Sequence, residues 1–188
     1  MTKDDYELDY WLKVKDVDFS GRYKSMVELF NLSEDVGDIL DVGCGPRGGI
    51  LPYVKGNKKV GLDPLIQGYR DNELLSEGID FVQGTAEEPN ITDLFDTIVC
   101  ANALDHGNST FQSIKSLSKL LRSGGKLYIH VHLREFEQLN EGHDHLMPLS
   151  GFEDVVRETR LTKRWEIIYA DDPLEPCYRT LVCCLEKP

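Results

Sequence analysis

The sequence predicts an α/β fold: a doubly wound, mostly parallel seven-stranded sheet with an antiparallel last strand and helices on both faces. Three observations carry this. Short apolar, β-branched segments that end at turn residues recur along the 188 residues. Helical spacing of apolar residues lies between several of them, and that alternation implies parallel strands covered on both sides. The last two strand segments are separated only by Ala170–Pro176, with prolines at 173 and 176, a connection suited to a hairpin.

Each element has its own signal. The first 33 residues read as two helices, with apolar patches at Tyr10-Trp11-Leu12 and at Tyr23, Met26, Val27, Leu29 and Phe30. Strands are expected at Asp38–Val42, Lys59–Leu62, Ile79–Val82, Phe95–Cys100, Lys126–Val131, Trp165–Tyr169 and Tyr178–Leu185. Phe111, Ile114, Leu117, Leu120 and Leu121 recur at helix spacing, with Asn108 or Ser109 as the cap and Gly124-Gly125 as the stop. A further helix is expected from about Gly151 to Arg160, where Ser150 and Glu153 would form a capping box. Arg134–Pro148 is the least regular stretch, polar enough to cover a pocket as a lid over 134–150. One domain over 1–188 is expected, with 1–36 as its N-terminal helices.

Composition narrows the function classes. At 40% hydrophobic and 29% charged, the chain can bury a core. A net charge of −12 repels a polyanion on average, so neither nucleic acid nor an anionic membrane surface is expected as a partner. No apolar run approaches the roughly 20 residues of a membrane span, and no secretory layout is present, so the expected location is the cytoplasm. The five cysteines include no CxxC pair and read as reduced, buried small hydrophobes.

The first strand runs into Asp41-Val-Gly43-Cys44-Gly45-Pro-Arg47-Gly48-Gly49. Glycines there allow a sharp turn and a close approach of backbone N–H groups to a ligand. Asp63, 22 positions after Asp41, ends the next strand, close to the spacing of a carboxylate that grips ribose hydroxyls. Pro46 and Arg47 interrupt the bare helix start that a pyrophosphate prefers. Asp41 would instead welcome a positive ligand group. Both points favour S-adenosylmethionine over a nicotinamide dinucleotide.

The ordered set of motifs resembles the class I, Rossmann-like S-adenosylmethionine-dependent methyltransferases of small-molecule type. Ile39-Leu-Asp-Val-Gly-Cys-Gly-Pro46 is similar to that family's first motif, and Val60-Gly-Leu-Asp63-Pro64 to its second strand with the ribose-binding acid. Phe81-Val-Gln-Gly84-Thr85-Ala86-Glu87 is similar to its adenine-contacting segment. Phe95–His106 resembles the fourth strand with its active-site end, and Leu120–Leu127 the lead into the fifth. The resemblance spans about residues 37–133. It implies S-adenosyl-L-methionine as cofactor, held by Asp41, Gly43, Cys44, Gly45, Asp63, Pro64, Gly84, Thr85, Ala86 and Asn102. Two positions depart from the pattern. Thr85 replaces a frequent Asp, which would pass the adenine amino contact to Glu87, and Arg47 replaces a frequent glycine.

Methyl transfer from a sulfonium is an in-line displacement governed by alignment, with a base required for a hydroxyl acceptor. Ligands of open α/β sheets sit beyond the carboxyl ends of the strands, which points at Asn102, Asp105 and His106, and at His130 and His132. His106 is the leading base candidate, with cofactor contact as its other role, and Asp105 could orient an imidazole or cap a helix. His145 is the second catalytic candidate, from the resemblance. His130-Val-His132 and His143-Asp-His145 could each chelate if extended, yet methyl transfer needs no metal and no spacing signature is complete, so no metal is expected. Arg22 and Tyr23 could close over the cofactor's carboxylate.

The expected function is methyl transfer to oxygen or nitrogen of a small-molecule acceptor. A non-catalytic cofactor-binding or scaffolding protein of the same fold is the competing class. A nicotinamide oxidoreductase is a third, disfavoured because no hydride-transfer constellation is evident.

Overall fold

The computed structural model describes residues 2–133, 149–174 and 178–188. Five helices, α1 (Lys3–Lys13), α2 (Ser20–Leu29), α3 (Ile66–Asp71), α4 (Thr110–Leu120) and α5 (Leu149–Thr159), accompany seven strands. The strands are β1 (Ile39–Val42), β2 (Lys59–Asp63), β3 (Asp80–Gln83), β4 (Phe95–Ala101), β5 (Leu121–His132), β6 (Thr162–Tyr169) and β7 (Thr180–Glu186). They form one sheet in the order β3-β2-β1-β4-β5-β7-β6. Strands β1 to β5 pair in parallel, and β7 runs antiparallel to both β5 and β6. The expected sheet, with its reversed last strand, is the observed one. The expected cover at 134–150 lies almost wholly outside the described residues, which resume at Leu149.

Every residue of β1 is buried, because each face of the strand meets a different layer. Leu40 and Val42 join Ile98, Cys100, Leu127 and Ile129 beneath α4 and α5. Ile39 joins Val99, Tyr128 and Val182 beneath α2, where Phe30 packs its ring 5.5 Å from that of Tyr128. The period-two alternation of a strand therefore puts Asp41 and His130 on the α2 face, in register with Ile39 and Tyr128. The order reverses between β1 and β4, which makes the carboxyl ends of these two strands the topological switch point where α/β sheets hold ligands.

Sequence signals for helix ends hold in part. Ser109 is the N-cap of α4, its hydroxyl accepting the Gln112 N–H at 3.2 Å. Helix α5 is described from Leu149 onward, which includes Ser150 and Glu153. Gly124 does not stop α4: the chain is already extended at Leu121, and Gly124, at φ +77°, belongs to an irregularity that shifts the β4–β5 register. Arg122 in that stretch grips Asp96 (2.6 Å) and Asp38 (2.7 Å), pinning the amino ends of β4 and β1 together. At the N-terminus, Thr2 and Asp5 form a reciprocal capping box that starts α1.

Gly61 shows why the sheet tolerates the loop above it. A Cβ there would stand 2.7 Å from the Cys44 sulfur and 3.1 Å from the Phe81 ring. The missing side chain on β2 is the space that seats Cys44, and so the glycine loop after β1. Gly61→Ala is expected to cost about 1–3 kcal/mol by overpacking, lowering Tm by roughly 3–10 °C in calorimetry. Adding Cys44→Ala should recover much of the loss, and simple additivity of the two changes would contradict this packing.

Candidate cofactor and acceptor site

Asp41 is the next-to-last residue of β1 and is 4% exposed. Its Oδ2 accepts the Ile50 N–H at 2.9 Å, and a Cβ at Gly49 would overlap that oxygen. The loop 43–49 thus curls around a carboxylate, and its glycines at 43, 45, 48 and 49 all adopt positive φ, between 53° and 73°. Burial is the main cause that raises the Asp41 pKa to about 7; the Ile50 hydrogen bond opposes it and the charge of Asp63 adds to it. Tyr23 on α2 lies near enough to feel that charge. Burial first, and then Asp41, push its phenol to about 12, with Arg22 beside it acting the other way.

Asp63 ends β2, also buried. Its Oδ2 accepts the Gly45 N–H and its Oδ1 the Leu65 N–H, each at 3.0 Å, and Tyr69 of α3 bonds to it as well. Burial raises its pKa to about 6 against these hydrogen bonds. Asp63 therefore ties the glycine loop to the start of α3, with three of its roughly four lone-pair sites already used. Pro64 beside it is exposed, whereas Cys44 is buried with a thiol pKa raised well above normal by burial, then by Asp63 and Asp41. Cys44 is a packing residue.

Across the switch point, a Cβ on Gly43 would overlap the Ala103 methyl, so the loop after β1 and the end of β4 meet there. Gly43 is itself exposed. Asn102, next to Ala103, takes φ +54° and donates its N–H to the His130 carbonyl at 2.7 Å. Its side-chain Oδ1 is buried and has no hydrogen-bond partner among the described residues. A buried carboxylate on β1 and an orphaned amide oxygen just after β4, at the same switch point, suit a ligand that brings positively charged N–H donors, as the amino group of S-adenosylmethionine does. The residues present fit that cofactor.

The adenine segment is more occupied than its sequence suggests. A Cβ on Gly84 would reach 2.9 Å from the carbonyls of Glu88 and Pro89, so this position needs glycine for the turn. Thr85 is exposed, with its hydroxyl accepting the Glu88 N–H, and Ala86 is buried. Glu87 is spent on the neighbouring loop: Oε1 accepts the N–H groups of Asn108 (2.6 Å) and Ser109 (3.1 Å). The expectation that Glu87 inherits an adenine contact meets a carboxylate already bound to the entrance of α4.

His106 lies half-buried in the short 3-10 turn Leu104–His106, where α1 comes beside it. Its Nδ1 stands 3.6 Å from Glu7, and its carbonyl accepts from Lys3. Burial, the dominant cause, holds the Glu7 carboxyl above the usual range. Asp105 is buried beneath the turn. His143 and His145 lie outside the described residues.

Sequence reasoning missed the part α1 plays. Trp11 stands 2.8 Å from where a Gly45 Cβ would be, its ring 6.5 Å from that of Tyr69, and Leu8 covers Gly68. Helix α1 thus crosses the ends of β1 and β2 and the turn after β4. Arg47, the departure in the glycine loop, fixes it there: the guanidinium donates to the carbonyls of Val14, Lys15 and Val17 and stacks over Phe19. The sequence signal was present, since a lone Arg in a glycine loop needs a partner, but nothing in it named three carbonyls.

Residues 40–129 match the family model of a methyltransferase domain. The match covers just under half of the chain, so methyltransferase domains are what this chain is similar to. The chain is 32% identical over 108 residues to the malonyl-[acyl-carrier protein] O-methyltransferase of Calditerrivibrio nitroreducens, with 57% of this chain and 38% of that protein covered. It is 26% identical over 115 residues to the tRNA U34 carboxymethyltransferase of Campylobacter fetus, with 57% and 40% covered. The chain therefore spans about two fifths of the length of these relatives. The fold of the N-methyltransferase NodS from Bradyrhizobium japonicum, solved with S-adenosyl-L-homocysteine, superposes at a TM-score of 0.67 with 19% identity, 97% of each chain being covered.

The raised carboxylates have a thermodynamic consequence. A carboxyl whose folded pKa exceeds its unfolded value binds an extra proton when folded, so the stability it contributes is present below about pH 4 and is lost as pH rises toward about 7. The ligand-free protein is expected to lose thermal stability from pH 5 to pH 7.5. Asp41→Asn, which keeps an acceptor for Ile50, should reduce that slope and raise Tm at pH 7.5 by roughly 4 °C or more in scanning calorimetry. Parallel pH profiles for the two proteins would show Asp41 to be an ordinary carboxylate.

Proposed function

We propose that the chain transfers the methyl group of S-adenosylmethionine to an oxygen or nitrogen of a small-molecule acceptor. The observation that carries this is the β1–β4 switch point, where the buried Asp41, the exposed backbone of Gly43 and the orphaned Asn102 oxygen stand at the carboxyl ends of the two strands. Bound S-adenosylmethionine would supply an electrophilic methyl group on a sulfonium. The protein's own part is placement and exclusion of water. Asp41 holds the ammonium of the methionine moiety, Tyr23 and Arg22 lie on the carboxylate side, and Asp63 is the acceptor for ribose hydroxyls once it shares its bonds with the loop. His106, steadied by Glu7, is the base for a hydroxyl acceptor.

A small acceptor is supported by the net charge of −12, which disfavours a polyanion. One relative is named for tRNA, and that name belongs to the relative; RNA is accordingly a control substrate in the assay below. No described helix is long and apolar enough to cross a membrane. The four described cysteines, all buried and unbridged, suit a reducing cytoplasm.

Trp11 and Trp165 are the only tryptophans, and Trp11 lies on the glycine loop. Titration of Trp165→Phe with S-adenosylhomocysteine is expected to change the emission of Trp11 saturably, with Kd raised at least about tenfold by Asp41→Asn. Transfer of a labelled methyl group to pooled small hydroxy and amino compounds, with bulk tRNA beside them, then reads the acceptor class. His106→Gln should lower turnover on a hydroxyl acceptor by about 100-fold while leaving cofactor affinity unchanged. Cofactor binding without transfer to any pool would establish the non-catalytic reading instead, and label entering only tRNA would refute the small-molecule one.

A further inference from the structure

His130 and His132 are two apart on β5 and share the α2 face of the sheet, so their imidazoles lie side by side, with ring centroids 5.5 Å apart. The third member comes from far along the chain. Asp172, in the connection between β6 and β7, is carried beside them because β7 pairs antiparallel with β5, placing Thr180 opposite His132. The turn holds Asp172 firmly: its N–H donates to the Tyr178 carbonyl at 2.8 Å and its Oδ1 accepts the Leu174 N–H at 2.7 Å. That fixes Oδ2 at 2.7 Å from His130 Nε2 and 3.5 Å from His132 Nε2. The Tyr178 ring stacks on His132 at 4.5 Å, limiting its rotation. All three side chains are at most 1% exposed, and one donor atom from each falls within 4.8 Å of the others.

His130 Nδ1 is buried with no hydrogen-bond partner among the described residues, and the two imidazoles and the carboxylate converge out of contact with water, an arrangement of donor atoms that a metal ion satisfies at once.

We propose that His130, His132 and Asp172 form a binding site for a divalent transition-metal ion of the zinc type. Two imidazole nitrogens and one carboxylate oxygen suit Zn²⁺, Co²⁺ or Fe²⁺, whereas Mg²⁺ and Ca²⁺ prefer all-oxygen sets. Three protein ligands leave at least one coordination position for water or for an oxygen or nitrogen of a bound molecule. The site adjoins the β1–β4 switch point through the Asn102–His130 backbone bond, yet it stands whether or not the chain turns over a methyl donor. The paired histidines alone did not announce it, since the third ligand lies 40 positions downstream of His132.

The test uses the full chain without an affinity tag, stripped of metal and titrated with Co²⁺ while its ligand-field absorption is followed. One Co²⁺ per chain is expected, displaced by Zn²⁺ and not by Mg²⁺, with Zn²⁺ also raising Tm. Removing a partner that only orients a ligand weakens a site by 10–100-fold, so His130→Gln and Asp172→Asn should each weaken binding by at least about 100-fold. His143→Gln with His145→Gln should leave the affinity within about twofold. Should a variant fail to fold, the wild-type stoichiometry and its Zn²⁺-dependent Tm decide the matter. Absence of stoichiometric Co²⁺ in the wild type, or binding that follows the 143/145 pair rather than His130 and Asp172, would overturn the proposal.

Discussion

Two carboxylates buried at the carboxyl ends of neighbouring parallel strands set the terms for the structure around them. Asp41 and Asp63 stand in a region where ionisation is costly, and each raises the other's cost or that of the groups nearby. The chain offsets this with backbone N–H groups, from Ile50 for Asp41 and from Gly45 and Leu65 for Asp63. Those N–H groups can approach only because the loop between them is rich in glycine. Gly49 in particular has no room for a Cβ beside the Asp41 carboxylate. The glycine loop is thus as much a device for holding two acids as for admitting a ligand, and the residual strain of those acids favours a cationic ligand.

The same pair explains the position of the N-terminal helices. Helix α1 covers the acids with Trp11 and brings Glu7 toward His106, and Arg47 locks the end of that helix to the loop by its carbonyls. A third acid, Asp172, sits on the same face of the sheet three strands from Asp41 but is treated in the opposite way, surrounded by imidazoles and held ionised. The hydrogen bonds that Asp172 accepts, led by those from His130 and Thr180, set the lowered carboxyl apart from the two that burial raises.

Much of this was legible in the sequence. The near-continuous burial of Ile39–Val42 and Phe95–Ala101, the proline-bearing hairpin before β7, and the spacing of Asp41 to Asp63 follow from local chemistry that a one-dimensional reading can use. Contacts that depend on the sheet's closing register were not. Asp172 reaches His130 only through the β5–β7 pairing, Glu87 reaches the Asn108 and Ser109 N–H groups only once α4 docks, and Glu7 reaches His106 only across the whole width of the site. Gly124 was misread for a related reason: a positive-φ glycine ends a helix or bends a strand equally well, and the β4–β5 pairing decides which.

If Asp41 is the cation acceptor, cofactor binding must drive it to its ionised form. Calorimetry of S-adenosylhomocysteine binding at pH 6.5, in buffers of different ionisation enthalpy, counts the protons released, at a pH where the ligand's amino group is already charged. The account predicts release of roughly half a proton or more per chain at pH 6.5. In Asp41→Asn that release should largely vanish. Binding with no proton release in the wild type would contradict it.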